Sequence, residues 1–133
     1  MSDDMYREVI LEHAKYPHNF GTLEGASVSH EELNPLCGDK VRIDVLIADG
    51  VIADVRFSGR GCAISQASAS LLTDELRGMP VEQAKLYSKD DLLELIGIPL
   101  SKNPTRLKCA LLSLKALKAG LYGVGHIRDD DEL

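Results

Sequence analysis

The sequence predicts an α+β fold in which a small three-stranded antiparallel sheet packs against helices. Three observations carry that expectation. Val41, Ile43, Val45 and Ile47 alternate along the stretch KVRIDVLIAD, as the buried positions of a half-covered strand must. Asp49-Gly50 then separates this stretch from VIADVRFSG, and an Asp-Gly pair between two such runs is a strong tight-hairpin signal. Beyond Gly61 the apolar spacing turns helical and stays so, and strands followed by helices make a layered α+β arrangement.

The elements follow in order. Asp3 or Asp4 can cap a first helix from about Met5 to Lys15, with Met5, Val9, Ile10 and His13 near one face and Pro17 ending it. After the turn-rich HNFGTLEG, the stretch ASVSHEEL is a weak first strand, ahead of the two hairpin strands. AISQASASLLTDELRG is a helix rich in small residues, closing on Gly78 as its cap. A short helix from about Val81 to Leu86 follows. The next runs from Ser88 to Ile96, with Ser88 capping and Asp91 three residues on. Asn103 caps a last helix, Pro104 to Lys118, with Pro104 at its favoured first position and Gly120 ending it. Leu107, Leu111, Leu114 and Leu117 give that helix an apolar face, and Leu92, Leu93, Leu95 and Ile96 are core candidates. The tail RDDDEL is expected to be a flexible acidic end at roughly 127–133.

At 133 residues the chain suits a single domain spanning 1–133. Its 21 acids against 15 bases give a net charge of -6, which argues against nucleic-acid binding because there is no basic excess to neutralise phosphates. The charged start MSDDMYREVILEHAKYP lacks the apolar run of a signal peptide or a membrane span, so a cytoplasmic protein with no membrane association is expected. In that compartment three cysteines stay reduced, and an odd count points to metal or thiol chemistry over a disulfide framework.

Each thiol falls at the edge of an element. Cys37 precedes the second strand, Cys62 lies between the third strand and its helix, and Cys109 sits in the second turn of the last helix. Thiols at helix starts feel the positive end of the macrodipole, and Arg106 and Lys108 add positive charge beside Cys109 that favours thiolate. The spacing is nothing like the paired C-x-x-C of a zinc ribbon, and three ordinary reduced cysteines remain the plain alternative. Asp39 shifts the balance. Three thiolates and one carboxylate complete a tetrahedral donor set without histidine, and Gly38 lets the chain bend so that positions 37 and 39 turn the same way.

Four blocks now resemble a known family. YREVILEHAKYPHNFGTL, NPLCGDKVRIDV, GRGCAISQASASLLTDEL and PTRLKCALLSLKAL, in this order, are similar to the iron-sulfur cluster assembly proteins IscU, SufU and the N-terminal domain of NifU. The resemblance implies an IscU/NifU-N-like α+β fold with Cys37, Asp39, Cys62 and Cys109 at one exposed end. It also implies work beside a pyridoxal-phosphate-dependent cysteine desulfurase that hands over persulfide sulfur, and beside downstream cluster assembly or acceptor proteins. Within the family, IscU-type scaffolds carry a histidine immediately before the third cysteine and an LPPVK chaperone-recognition segment. Here those places read Lys108 and KNPTRLK, and with CAIS after Cys62 the chain resembles the SufU branch, although most of the insertion typical of SufU between the second and third cysteines is missing.

Three readings follow from the resemblance and the donor set. In the first, Cys37, Asp39, Cys62 and Cys109 hold one zinc ion, and Cys37 leaves it to accept persulfide sulfur while a desulfurase histidine takes its place; any enzymatic role is then that of a zinc-dependent sulfurtransferase. In the second, the same four residues form a non-enzymatic scaffold on which a [2Fe-2S] cluster is assembled and passed on. In the third, the domain is an interaction module that zinc holds together, and loss of zinc unfolds it.

Other residues are set aside on sequence grounds. His13, His18, His30 and His126 are expected to be surface or core residues, with HAKYPHNFG structural or a partner contact. Gly59-Arg60-Gly61 has no following Lys-Ser for a phosphate loop and is better taken as the turn that delivers Cys62. Ser65, Ser68 and Ser70 suit close helix packing, with no base expected near them.

Overall fold

A computed structural model of the protein describes residues 3–35, 38–97 and 103–122. Cys37, His126 and the acidic tail at 127–133 lie outside the described residues, as do the side chains of Asp3 and Asp4 expected to cap the first helix. The chain runs α1 (Asp3–Lys15), β1 (Val28–Asn34), β2 (Asp39–Ala48), β3 (Val51–Arg60), α2 (Ala63–Leu76), α3 (Val81–Lys85), α4 (Lys89–Ile96) and α5 (Pro104–Tyr122). The three strands form one antiparallel sheet in the order β1-β2-β3, as the sequence predicts.

The hairpin signal acts as its chemistry requires. Asp49 (φ 54°) and Gly50 (φ 76°) both take the left-handed conformation that a two-residue turn matching strand twist demands. Val41, Ile43 and Val45 of β2 face the core with Val55 and Phe57 of β3, all at 1% exposure or less. Alternation in β3 slips beside Leu46 and Ile47, where Leu46 pairs with Asp54 but Ile47 pairs with Ile52. The extra residue, Ala53, is a bulge that brings Ile52 back to the covered face. The outer edge of β3 does not stay open. Phe57 exchanges backbone bonds with Asn19 and Gly21, and Ile52 does so with Gly78 and Met79.

On the opposite face, Asp44 is buried and anchors the crossing chain. It accepts from the Leu23 amide at 3.0 Å and from Arg42 Nε at 2.9 Å. Burial alone raises its pKa, but these donors and the Ser29 hydroxyl outweigh it and hold the carboxyl below its ordinary range.

The helices sit against the covered face, α5 on β1 and β2 and α2 on β3. Residues 109–114 and 116–119 of α5 are all buried, so this helix is surrounded on every side. Asn103 caps it as expected, accepting from the Arg106 amide at 3.1 Å, and Ser88 and Asp91 form the full capping box of α4. Two expected helix ends differ. Gly78 does not cap α2 directly: Arg77 is extended (φ -62°, ψ 126°), Gly78 has φ +81°, and the Met79 amide returns to the Leu76 carbonyl, which is a tight turn after the helix. Gly120 does not end α5, which continues to Tyr122. A Cβ at position 120 would stand 2.8 Å from Val28 Cγ1, so the glycine serves close approach of helix to strand.

The expected face of α1 is also corrected. Ile10 is buried, but Met5 and Val9 are exposed; α1 packs chiefly against α2. Among the described residues, no helix is long and apolar enough to cross a membrane.

Candidate metal centre

Three chain segments meet at the ends of β1 and β2. Asn34 pairs with Asp39 across the β1–β2 hairpin, and the Gly38 amide bonds the Asn34 carbonyl at 2.8 Å with Gly38 at φ +75°. That left-handed glycine is the bend expected before Asp39. At the far end of β3, Gly59 lies so close to β2 that a Cβ would overlap the Lys40 carbonyl, and the chain then turns into α2 through Gly61. The turn delivers Cys62 as the N-cap residue of α2, extended at φ -71° and ψ 171°. Cys109 arrives from the second turn of α5, where the helix crosses the sheet.

These placements bring one ligand atom each from Asp39, Cys62 and Cys109 to within 4.8 Å of one another. Asp39 and Cys109 are buried and Cys62 is exposed, so the cluster opens to solvent on one side. Asp39 is 5% exposed, and its Oδ2 makes no hydrogen bond among the described residues. A buried carboxylate oxygen without a partner is costly unless something positive binds it. Burial raises the Asp39 pKa, but the Cys109 thiol, the Cys62 amide at the start of α2, the Cys62 thiol and the Ser65 hydroxyl more than compensate and lower it. The carboxylate is therefore ionised and ready to serve as a donor.

Two sulfurs and one carboxylate oxygen within 4.8 Å of one another, with Asp39 Oδ2 unbonded among the described residues, fit a zinc ion. Zinc takes thiolates at about 2.3 Å and carboxylate oxygens at about 2.0–2.2 Å, and exposed Cys62 has room to draw in toward that spacing. Gly61 keeps the space clear. A Cβ there would stand 2.2 Å from Ser65 Oγ and 2.9 Å from Asp39 Cγ.

Of the residues expected at the site, the structure thus joins Asp39, Cys62 and Cys109, while Cys37 lies outside the described residues. Arg106 and Lys108 are solvent-exposed at the start of α5, and among the described residues no hydrogen bond or ion pair joins either side chain to the cluster. Sequence reasoning missed two participants, Asn34 and Ser65, and gave a third, Gly61, only as part of the turn that delivers Cys62. Asn34, 6% exposed, points its Nδ2 at Cys109 Sγ across 3.8 Å. Ser65 donates to the Cys62 carbonyl at 3.1 Å, fixing the first turn of α2, and Gly61 holds the space. The signal for Asn34 is its place at the start of the NPLCGD block that carries the first thiol.

Comparison with known proteins decides the family. The model of the NifU-like N terminal domain matches residues 5–128. The chain belongs to this family. It is 39% identical to the zinc-dependent sulfurtransferase SufU of Bacillus subtilis over 134 aligned positions, covering 90% of each chain. It is 36% identical to the iron-sulfur cluster assembly scaffold protein IscU of Thermotoga maritima, covering 88% of this chain and 92% of that one. Among solved structures, an iron-sulfur cluster assembly scaffold protein for the SUF system from Fervidobacterium islandicum superposes with a TM-score of 0.77 at 28% identity, over 91% of this chain and 99% of that one. The N-terminal NifU-like protein of Brucella abortus shares the fold, with a TM-score of 0.77 at 22% identity over 90% and 94% of the two chains. The α+β architecture is that of the NifU-like N-terminal domain.

Proposed function

We propose that this NifU-like domain is a zinc-dependent sulfur acceptor in iron-sulfur cluster assembly. In this reading Cys37, Asp39, Cys62 and Cys109 hold one zinc ion, and Cys37 receives sulfur from the persulfide of a pyridoxal-phosphate-dependent cysteine desulfurase. The observation that carries it is the convergence of Asp39, Cys62 and Cys109, with the buried Asp39 Oδ2 unbonded among the described residues. Cys37 is two residues from Asp39, so chain length alone keeps the two Cα atoms within about 7 Å. A zinc ion held there keeps its cysteine ligands deprotonated and shielded from oxidation.

The transfer balances without an external oxidant. The Cys37 thiolate attacks the terminal sulfur of the desulfurase persulfide; a new sulfur-sulfur bond forms on Cys37, the enzyme's own breaks, and its cysteine leaves as thiolate. Asn34, through Cys109, and Ser65, through the first turn of α2, keep the remaining donors in place. The product sulfur then passes to downstream assembly or acceptor proteins, in a cytoplasm that keeps the thiols reduced. The protein is a sulfurtransferase in this sense. The 39% identity to a zinc-dependent sulfurtransferase supports the reading.

A second reading keeps the same site for a [2Fe-2S] cluster and makes the protein a non-enzymatic scaffold, supported by the IscU relatives and by a thiolate-rich donor set. The reading of a module folded only by zinc fits poorly with a core of more than a dozen buried apolar side chains that does not depend on the site.

One experiment separates them. The purified protein is assayed for zinc and iron and mixed with a cysteine desulfurase and cysteine, and sulfur on each thiol is mapped by mass spectrometry. Zinc, a faster desulfurase and added sulfur on Cys37, lost in Cys37→Ser, support the acceptor. A coloured iron-containing protein with no stimulation supports the scaffold.

A further inference from the structure

A second group of metal-ligating side chains lies well away from the thiols. His13 near the end of α1, His18 in the turn that follows, and Asp74 on α2 each offer a ligand atom within 4.8 Å of the others. Asp74 lies twelve residues along α2 from its N-cap Cys62, which places it roughly 18 Å down the helix axis from the cysteine cluster. We propose that His13, His18 and Asp74 form a second divalent-metal site, taking a borderline ion, Zn2+ or Fe2+, through two imidazole nitrogens and one carboxylate oxygen.

The residue types suit that ion class. Two imidazoles and a carboxylate on one side, with the other positions open, form the donor set that zinc and ferrous iron favour and that calcium or magnesium does not. The open side is present, since the His18 and Asp74 side chains are 55% and 42% exposed. His18 Nδ1 now lies 2.6 Å from Asp74 Oδ2, so they share a hydrogen bond at the place an ion would occupy. Two donors bound to one ion at about 2.1 Å each must spread to about 3 Å or more, and two exposed side chains can open by that amount.

What distinguishes this group from an ordinary surface ion pair is the support behind each donor. Ser70 Oγ is fully buried, accepts the His18 backbone amide at 2.8 Å and lies 2.7 Å from His13 Nδ1. With Nδ1–H donated to Ser70, the lone pair of His13 Nε2 is left available, which is how metal-binding imidazoles are oriented. Asn19, held at φ 60°, donates its Nδ2 to Asp74 Oδ1 at 2.8 Å and to Thr73 Oγ1 at 2.9 Å, and its Oδ1 receives Arg77 Nε at 2.8 Å. The carboxylate is thus aimed from behind while Oδ2 faces the histidines. The two imidazole rings stand 4.4 Å apart at 48°, close enough to share one ion and not stacked. The plain alternative is a hydrogen-bonded latch tying α1 to α2. A latch needs one histidine and one partner, whereas here both rings and the carboxylate converge.

The inference stands independently of the sulfur-transfer reading, and its test does not use activity. Metal-free, reduced protein is titrated with Co2+ without oxygen, and Zn2+ stoichiometry is measured by equilibrium dialysis. The first equivalent of cobalt produces the thiolate-to-metal charge-transfer band of the cysteine site. A second equivalent is expected to add ligand-field absorption without that band and to shift the His13 and His18 ring nitrogens in NMR spectra. His18→Gln and Asp74→Asn, both at exposed positions, should each weaken the second equivalent at least tenfold while leaving the first unchanged. Uptake that stops at one equivalent, or a second equivalent unaffected by both variants, overturns the proposal.

Discussion

Gly61→Ala tests whether the space beside Asp39 is part of the site. The added Cβ would stand 2.2 Å from Ser65 Oγ, 2.9 Å from Asp39 Cγ and 3.1 Å from Asp39 Oδ2, where ordinary contact begins near 3.4 Å. The Ser65 hydroxyl must rotate away, losing its 3.1 Å bond to the Cys62 carbonyl, a loss of about 1 kcal/mol. The carboxylate must retreat into a site with almost no exposed surface, an overpacking cost of about 1–3 kcal/mol. Against these, alanine restricts the unfolded chain and returns about 0.4–1 kcal/mol. The net expectation is a metal-free protein destabilised by roughly 1–3 kcal/mol, read from the urea midpoint at constant slope. Zinc affinity, read by competition with a chromophoric chelator, should fall about 10–100-fold because the carboxylate no longer presents Oδ2 correctly. The contact with Ser65 is the shortest, so Ser65→Ala in the same chain should recover part of the loss, leaving a coupling of at least about 0.5 kcal/mol in a double-mutant cycle. A Gly61→Ala protein with wild-type zinc affinity and urea midpoint would refute the reasoning.

Asp39→Ala should leave the fold intact, by circular dichroism, while lowering zinc retention and sulfur acceptance together; unchanged values for both would remove Asp39 from the site. Asn34→Ala should weaken zinc binding about 10–100-fold by freeing Cys109, in the same chelator competition. Asp44 should make stability pH-dependent. Its folded pKa is depressed, so its contribution is complete above the ordinary value of 3.8 and is lost as pH falls through the lower folded value. Asp44→Asn should therefore remove about 1–3 kcal/mol at pH 7 and flatten the acid limb of the stability profile. Gly120→Ala sets a helix gain of about 1 kcal/mol against overpacking of about 1–3 kcal/mol at Val28, and the melting temperature should fall.

Local signals carried most of the fold. The β2–β3 hairpin followed from alternation and Asp49-Gly50, and the starts of α4 and α5 from Ser88 and Asn103, because each of these features acts within a few residues. The same property explains the misses. Gly120 looked like a terminator because its neighbour in space, Val28, lies far away in sequence. Met5, Val9 and Ile10 share a helical face by their spacing, but only Ile10 is buried, because periodicity does not say how much of a face its partner covers. At the site, Asp39, Cys62 and Cys109 were legible as residue types capable of holding one ion, and the resemblance named them as a set. Their supports, Asn34, Gly61 and Ser65, act only through packing across β1, α2 and α5. The same distance hid the grouping of His13 and His18: Asp74 and Ser70, which they meet, stand more than fifty residues on.

X-ray absorption at the zinc edge, on protein carrying one equivalent of zinc, addresses the proposed centre most directly. The account predicts three sulfur neighbours near 2.3 Å and one oxygen near 2.0 Å, with one sulfur lost in Cys37→Ser. A shell of nitrogen and oxygen alone, or a sulfur count that is the same with and without Cys37→Ser, would contradict it.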